Sequence, residues 1–78
     1  MKRLVVLVTP SQKLGWDLVI GRERHWYPTK KIAVKWGRAE ARESWELEGR
    51  PSQLVIRGRN GRIQREFTYG KDPRRFPG

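Results

Sequence analysis

No cysteine occurs among the 78 residues, so neither a disulfide nor a thiolate metal site can hold the chain together, and any fold must rest on packing alone. Apolar runs are short. The longest, Leu4 to Val8, is too brief to span a bilayer or to form the core of a signal peptide. The expectation is therefore a cytoplasmic protein with no membrane partner, and the opening Met1 fits a complete gene product. Histidine is nearly absent. His25 has only Glu23 as a nearby carboxylate, which makes an incomplete metal site, and Ser11, Ser44 and Ser52 have no recognisable base beside them. Gly58 and Gly61 sit in a hairpin pattern rather than before a helix, so they are no phosphate-binding fingerprint. These absences point to a binding protein without a cofactor or catalytic residues, and not to an enzyme.

What is present is positive charge. Eighteen Lys and Arg stand against eight acids, a net charge of +10, and twelve of the eighteen are arginine. The charge is uneven: residues 1–39 carry nine positive and two negative groups (+7), residues 40–49 one and four (−3), and residues 50–78 eight and two (+6). Self-repulsion at this charge opposes compaction, and a bound polyanion relieves it. The alternative is a surface charged only for solubility. Four tryptophans argue against disorder, because disordered chains are poor in aromatics. The length suits one domain, expected over residues 1–69, with an extended tail over 70–78 whose Phe76 could pack back onto the domain.

Residues 3–9 (RLVVLVT) read as a strand buried on both faces. Residues 14–21 alternate, with Leu14, Trp16, Leu18 and Ile20 on one face, and predict a second strand hairpinned to the first. Residues 24–27 suggest a short third strand ended by Pro28. Thr29 then reads as a helix N-cap and Gly49 as the residue that ends the helix. Between them Ala33, Val34, Gly37, Ala41, Ser44 and Trp45 fall within an arc of about 120°, which predicts the buried stripe. Residues 53–57 and 62–69 flank Asn60-Gly61, the strongest short hairpin signal. A two-residue turn there would set Leu54 opposite Phe67 and Ile56 opposite Arg65. Ile63 would join them on the core side, with Arg57, Arg59 and Arg62 pointing the other way. The order ββ(β)αββ predicts an α+β fold, an antiparallel sheet of four to five strands with one helix packed on one face.

The stretch VIRGRNGRIQREFTYGKDP, residues 55–73, carries a Gly-x-x-Gly-x-Ile hairpin (Gly58, Gly61, Ile63) followed by Tyr69-Gly70-x-Asp72-Pro73. With Gly15-Trp16, Thr29, Ala33 and Arg38, these residues make the chain similar to a small bacterial family, domain of unknown function 2188. The resemblance spans nearly the whole chain and implies a small α+β fold of bacterial or phage origin, with no activity attached. The chain departs from the family in its charge. Members tend to carry an acid in the first helical turn, where this chain has Lys30, Lys31 and Ile32.

Two local anomalies nominate binding residues. At the hairpin tip, Arg57, Arg59 and Arg62 would crowd one face, with Arg59 opposed to Arg62. Like charges across strands are unfavourable, and an anion held between guanidinium forks reverses the sign. In the helix, Lys30, Lys31, Lys35 and Arg38 occupy the positive end of the macrodipole, and Glu43, Glu46 and Glu48 the negative end. Both placements oppose the dipole, and a phosphate at the helix start would benefit from the lysines. Arg24 and Trp26 add a basic-aromatic pair suited to stacking on bases. For each group the alternative is a solvated surface side chain or, for the aromatics, the edge of a core. The leading expectation is nucleic-acid binding through phosphate contacts with little sequence specificity, a duplex being slightly favoured. The alternatives are docking on an acidic protein partner and a structural homodimer joined by strand edges.

Overall fold

The β-branched and aromatic segments form strands, and the segment with 3.6-residue spacing forms the helix. A computed structural model, which describes residues 3–70, has the order β1 (Leu4–Pro10), β2 (Trp16–Ile20), β3 (Glu23–Tyr27), α1 (Lys30–Glu48), β4 (Ser52–Arg57) and β5 (Ile63–Tyr69). The expectations for Phe76 and the rest of the tail beyond Gly70 fall outside the described residues. The fold is α+β, with one correction: the sheet is mixed rather than antiparallel. Its strand order is β3-β2-β1-β4-β5, and β1 and β4 run parallel, with Val6 beside Leu54 and Val8 beside Ile56. The groups β1-β2-β3 and β4-β5 are each antiparallel, as their short connections require. The parallel pairing arises because α1 carries the chain from edge strand β3 back over the sheet to β4.

α1 covers one face of this sheet. Val6, Val8, Trp16, Leu18, Leu54 and Ile56 point toward it and are buried. On the helix side Ala33, Gly37, Ala41 and Ser44 are buried, all within the expected stripe. Small residues are needed there because a Cβ on Gly37 would stand 3.0 Å from Leu54 Cδ1 and 3.1 Å from Leu18 Cδ1. Both helix ends form as the sequence indicates. Thr29 Oγ1 accepts from the Ile32 N–H at 3.2 Å, and Gly49 takes the left-handed conformation (φ 69°) while its N–H donates to the Trp45 carbonyl at 3.0 Å. The buried Ser52 hydroxyl donates to the Ala41 carbonyl, which ties the start of β4 to the helix.

Three further expectations are corrected. β1 is buried on the helix side only: Val5, on the opposite face, is 49% exposed. Leu14 lies before β2, in the turn, and is 83% exposed rather than part of the core face. The β4-β5 connection is a three-residue loop. Gly61 N–H donates to the Gly58 carbonyl at 2.9 Å, Gly58 N–H to the Arg62 carbonyl at 2.8 Å, and only Gly61 (φ 81°) has positive φ. A two-residue type I′ turn would need positive φ at Asn60 as well. Leu54 does face Phe67 and Ile56 does face Arg65. The ladder then slips by one residue, so that Ile63 pairs with Arg57 on the face away from the helix and is 54% exposed.

Candidate functional site

The loop geometry separates the three hairpin arginines. Arg57 lies on the sheet face away from α1, and its buried Nε has no hydrogen-bond partner. Arg59 turns to the helix side, where its guanidinium lies 5.7 Å from the centre of the Trp16 ring. Arg62 stays exposed in the loop, its N–H donating to Asn60 Oδ1 at 2.9 Å. Gly58 and Arg62 close the loop, so Arg59 and Arg62 do not oppose each other across strands, and the expected arginine cluster does not form. Arg24 and Trp26 sit on the sheet face away from α1. Arg24 forms an ion pair with the buried Asp17 at 2.8 Å, and the Trp26 indole N–H donates to the Leu14 carbonyl at 2.6 Å.

The helical lysines are brought together. Measured at 100° per residue, Lys31, Lys35, Arg38 and Arg42 fall within an arc of about 60° on one flank of α1. They cover a rise of about 16 Å along the axis. With Lys30 they line a groove of about 1130 Å³ that Tyr69 of β5 closes at one point. Arg38 sits over the Phe67 ring of β5 at 5.5 Å, which fixes the groove on the β5 side of the helix. A second hollow, of about 490 Å³, adjoins it through Lys30 and is lined by Trp16, Thr29, Arg59 and Gln64. There Lys30 Nζ lies 5.4 Å from the Trp16 ring centre and donates to Gln64 Oε1. Arg59, Lys30, Lys31, Lys35, Arg38 and Arg42 thus form one continuous basic surface.

Among the described residues no carboxylate lines either hollow, and none forms an ion pair with these six cations. Of the acids of α1, Glu40 and Glu43 share the opposite flank with Trp36 and Leu47, within an arc of about 60°, whereas Glu46, four residues beyond Arg42, lies about 40° from it at the C-terminal end of the basic stripe. The first helical turn has no acid and the last no base. The chain's own cations lie against three aromatic rings, the buried Trp16 beneath Lys30 and Arg59, Phe67 beneath Arg38, and Trp36 beside Lys35 at 5.9 Å. This chemistry suits a multivalent anion held by guanidinium and ammonium groups. Among the described residues no three His, Asp or Glu side chains come together as metal ligands, and no helix is long and apolar enough to cross a membrane. Arg42 is not singled out by sequence reasoning, and Arg38 is found by it only in the helix's reversed polarity and in the family resemblance. The signal that finds both is the spacing 31-35-38-42, one stripe at helical period.

No curated protein and no solved structure matches the chain. Residues 6–69 match a family model described as an uncharacterized protein conserved in bacteria, and the chain belongs to that family, DUF2188.

Proposed function

We propose that this protein binds nucleic acid through its phosphates, with little sequence specificity, in the groove between α1 and β5. The observation that carries the reading is the stripe Lys31, Lys35, Arg38 and Arg42, continuous with Lys30 and Arg59 along hollows that no carboxylate lines among the described residues. A row of cations about 16 Å long matches about five 3.4 Å steps of one B-DNA strand, enough for several phosphate contacts. Ring faces already occupied by Lys and Arg favour backbone contacts over base stacking, and so a duplex over a single strand.

The test is a fluorescence-anisotropy titration of the full chain with labelled duplex DNA, duplex RNA and single strands at two salt concentrations. The expected result is duplex binding whose log K falls linearly with log salt, by about 0.9 per phosphate neutralised on B-DNA. Absence of binding to every one of these ligands at low salt would remove the reading.

A further inference from the structure

The strongest unexplained feature is the sheet face that α1 leaves open. Where one sheet face meets water, its residues are ordinarily polar, and continuous apolar runs belong to strands covered on both sides. β1, at the centre of the sheet, is the run Leu4 to Val8, and only its helix side is covered. The other face presents Val5 and Leu7 of β1, flanked by Val19 of β2 and Val55 of β4. Its margins carry Trp26, 54% exposed, and Ile63, also 54% exposed. No described element lies over these residues.

The charges on this face balance, unlike those of the chain as a whole. The strands place two acids there, Asp17 and Glu66, and two bases, Arg24 and Arg57, whereas the whole chain is +10. Arg24 pairs with Asp17 at 2.8 Å, and the Gln53 amide donates to Glu66. This neutral, apolar-centred face is therefore one on which two copies of a strongly basic chain can approach without opposing like charge. Five strands make it about 24 Å wide, and five to six residues along each strand make it about 20 Å long. Two such faces in contact cover on the order of 1,000 Å², the lower bound for a specific interface.

We propose that this face docks a second copy of the chain, sheet against sheet, giving a two-fold dimer with the helices outermost. The partner sheet supplies the layer that β1's composition calls for, and the two α1 grooves then point outward on opposite sides. The arrangement does not depend on what those grooves bind. Long-range repulsion between two basic chains is screened over about 8 Å at physiological ionic strength, so added salt should strengthen the dimer. An association bridged by nucleic acid would weaken under the same change.

Sedimentation equilibrium of the full chain, freed of nucleic acid, reads the dimer and its salt dependence. A chain with no cysteine also accepts single thiols cleanly. The expected results are a dimer that tightens with salt and joining of Val5→Cys copies by a short bis-maleimide. Leu47→Cys, on the helix flank, should not cross-link. The Val5→Glu, Val55→Glu double variant should associate at least about tenfold more weakly, about 1.4 kcal/mol, with circular dichroism showing the fold retained. If that variant fails to fold, the cross-linking contrast still decides. A monomer at the highest soluble concentration would overturn the proposal. So would a dimer joined equally well through Leu47→Cys, or a monomer whose Val5→Cys thiol resists alkylation, which would point to residues 71–78 as the cover.

Discussion

Gly15→Ala tests how the β2-β3 edge is built. Gly15 has φ +93°, and a Cβ there would stand 2.6 Å from three atoms of the Trp26 indole. The indole occupies that space because its N–H donates to the Leu14 carbonyl at 2.6 Å. Two penalties should add in the Ala variant. The left-handed backbone costs a residue with a Cβ about 1–2 kcal/mol. Displacing the ring forfeits a hydrogen bond with a net contribution of about 1 kcal/mol. The expected loss is about 2–3 kcal/mol, measured by urea denaturation as a lower midpoint at constant slope. In a Trp26→Ala background the clash and the bond are already gone, so the same change should cost only the backbone part, leaving a coupling of about 1 kcal/mol between the two sites. Equal cost in both backgrounds would refute the reasoning, because Trp26 would then not be what excludes a side chain at position 15.

Two further predictions concern packing and charge. Gly37→Val should destabilise by about 1–3 kcal/mol in the same assay, because its branches meet Leu54 and Leu18 where even a Cβ stands within 3.1 Å; a neutral result would mean that the helix can lift from the sheet. Arg24→Ala should cost about 1–3 kcal/mol, because the Arg24 side chain is 63% exposed but its loss leaves the buried Asp17 carboxylate without this ion pair, and it should leave nucleic-acid affinity within about twofold, which anisotropy would read directly.

The local parts of the fold were legible because local chemistry dictates them. Thr29 and Gly49 bracket the helix as caps, and the small residues Ala33, Gly37 and Ala41 mark its buried stripe. The parallel pairing of β1 with β4 was not legible, since it joins residues about 48 apart and no turn between them sets the register. The β4-β5 turn is ambiguous in the sequence for a nearer reason: Asn60-Gly61 fits either a two-residue loop or the last part of a three-residue one. That single residue of difference moved Arg59 onto Trp16 and Ile63 away from the core. For the candidate site, Lys30, Lys31 and Lys35 are legible in the sequence, whereas grouping the hairpin arginines depends on a register the chain does not adopt. The double-sided burial expected for β1 was read from its composition, and its second side is the face to which we assign a partner copy.

The most direct test of the central claim compares two variants of equal charge. Lys31→Ala, Lys35→Ala, Arg38→Ala and Arg42→Ala together take the net charge from +10 to +6, as do Arg22→Ala, Arg24→Ala, Arg57→Ala and Arg62→Ala. Titrating both against duplex DNA across a salt series separates a site from mere charge. The account predicts that the first set loses affinity and that its salt slope becomes shallower by up to about 3.6, four contacts at about 0.9 each, while the second set stays near the parent protein. Equal losses in the two sets, or a larger loss in the second, would contradict a binding groove between α1 and β5.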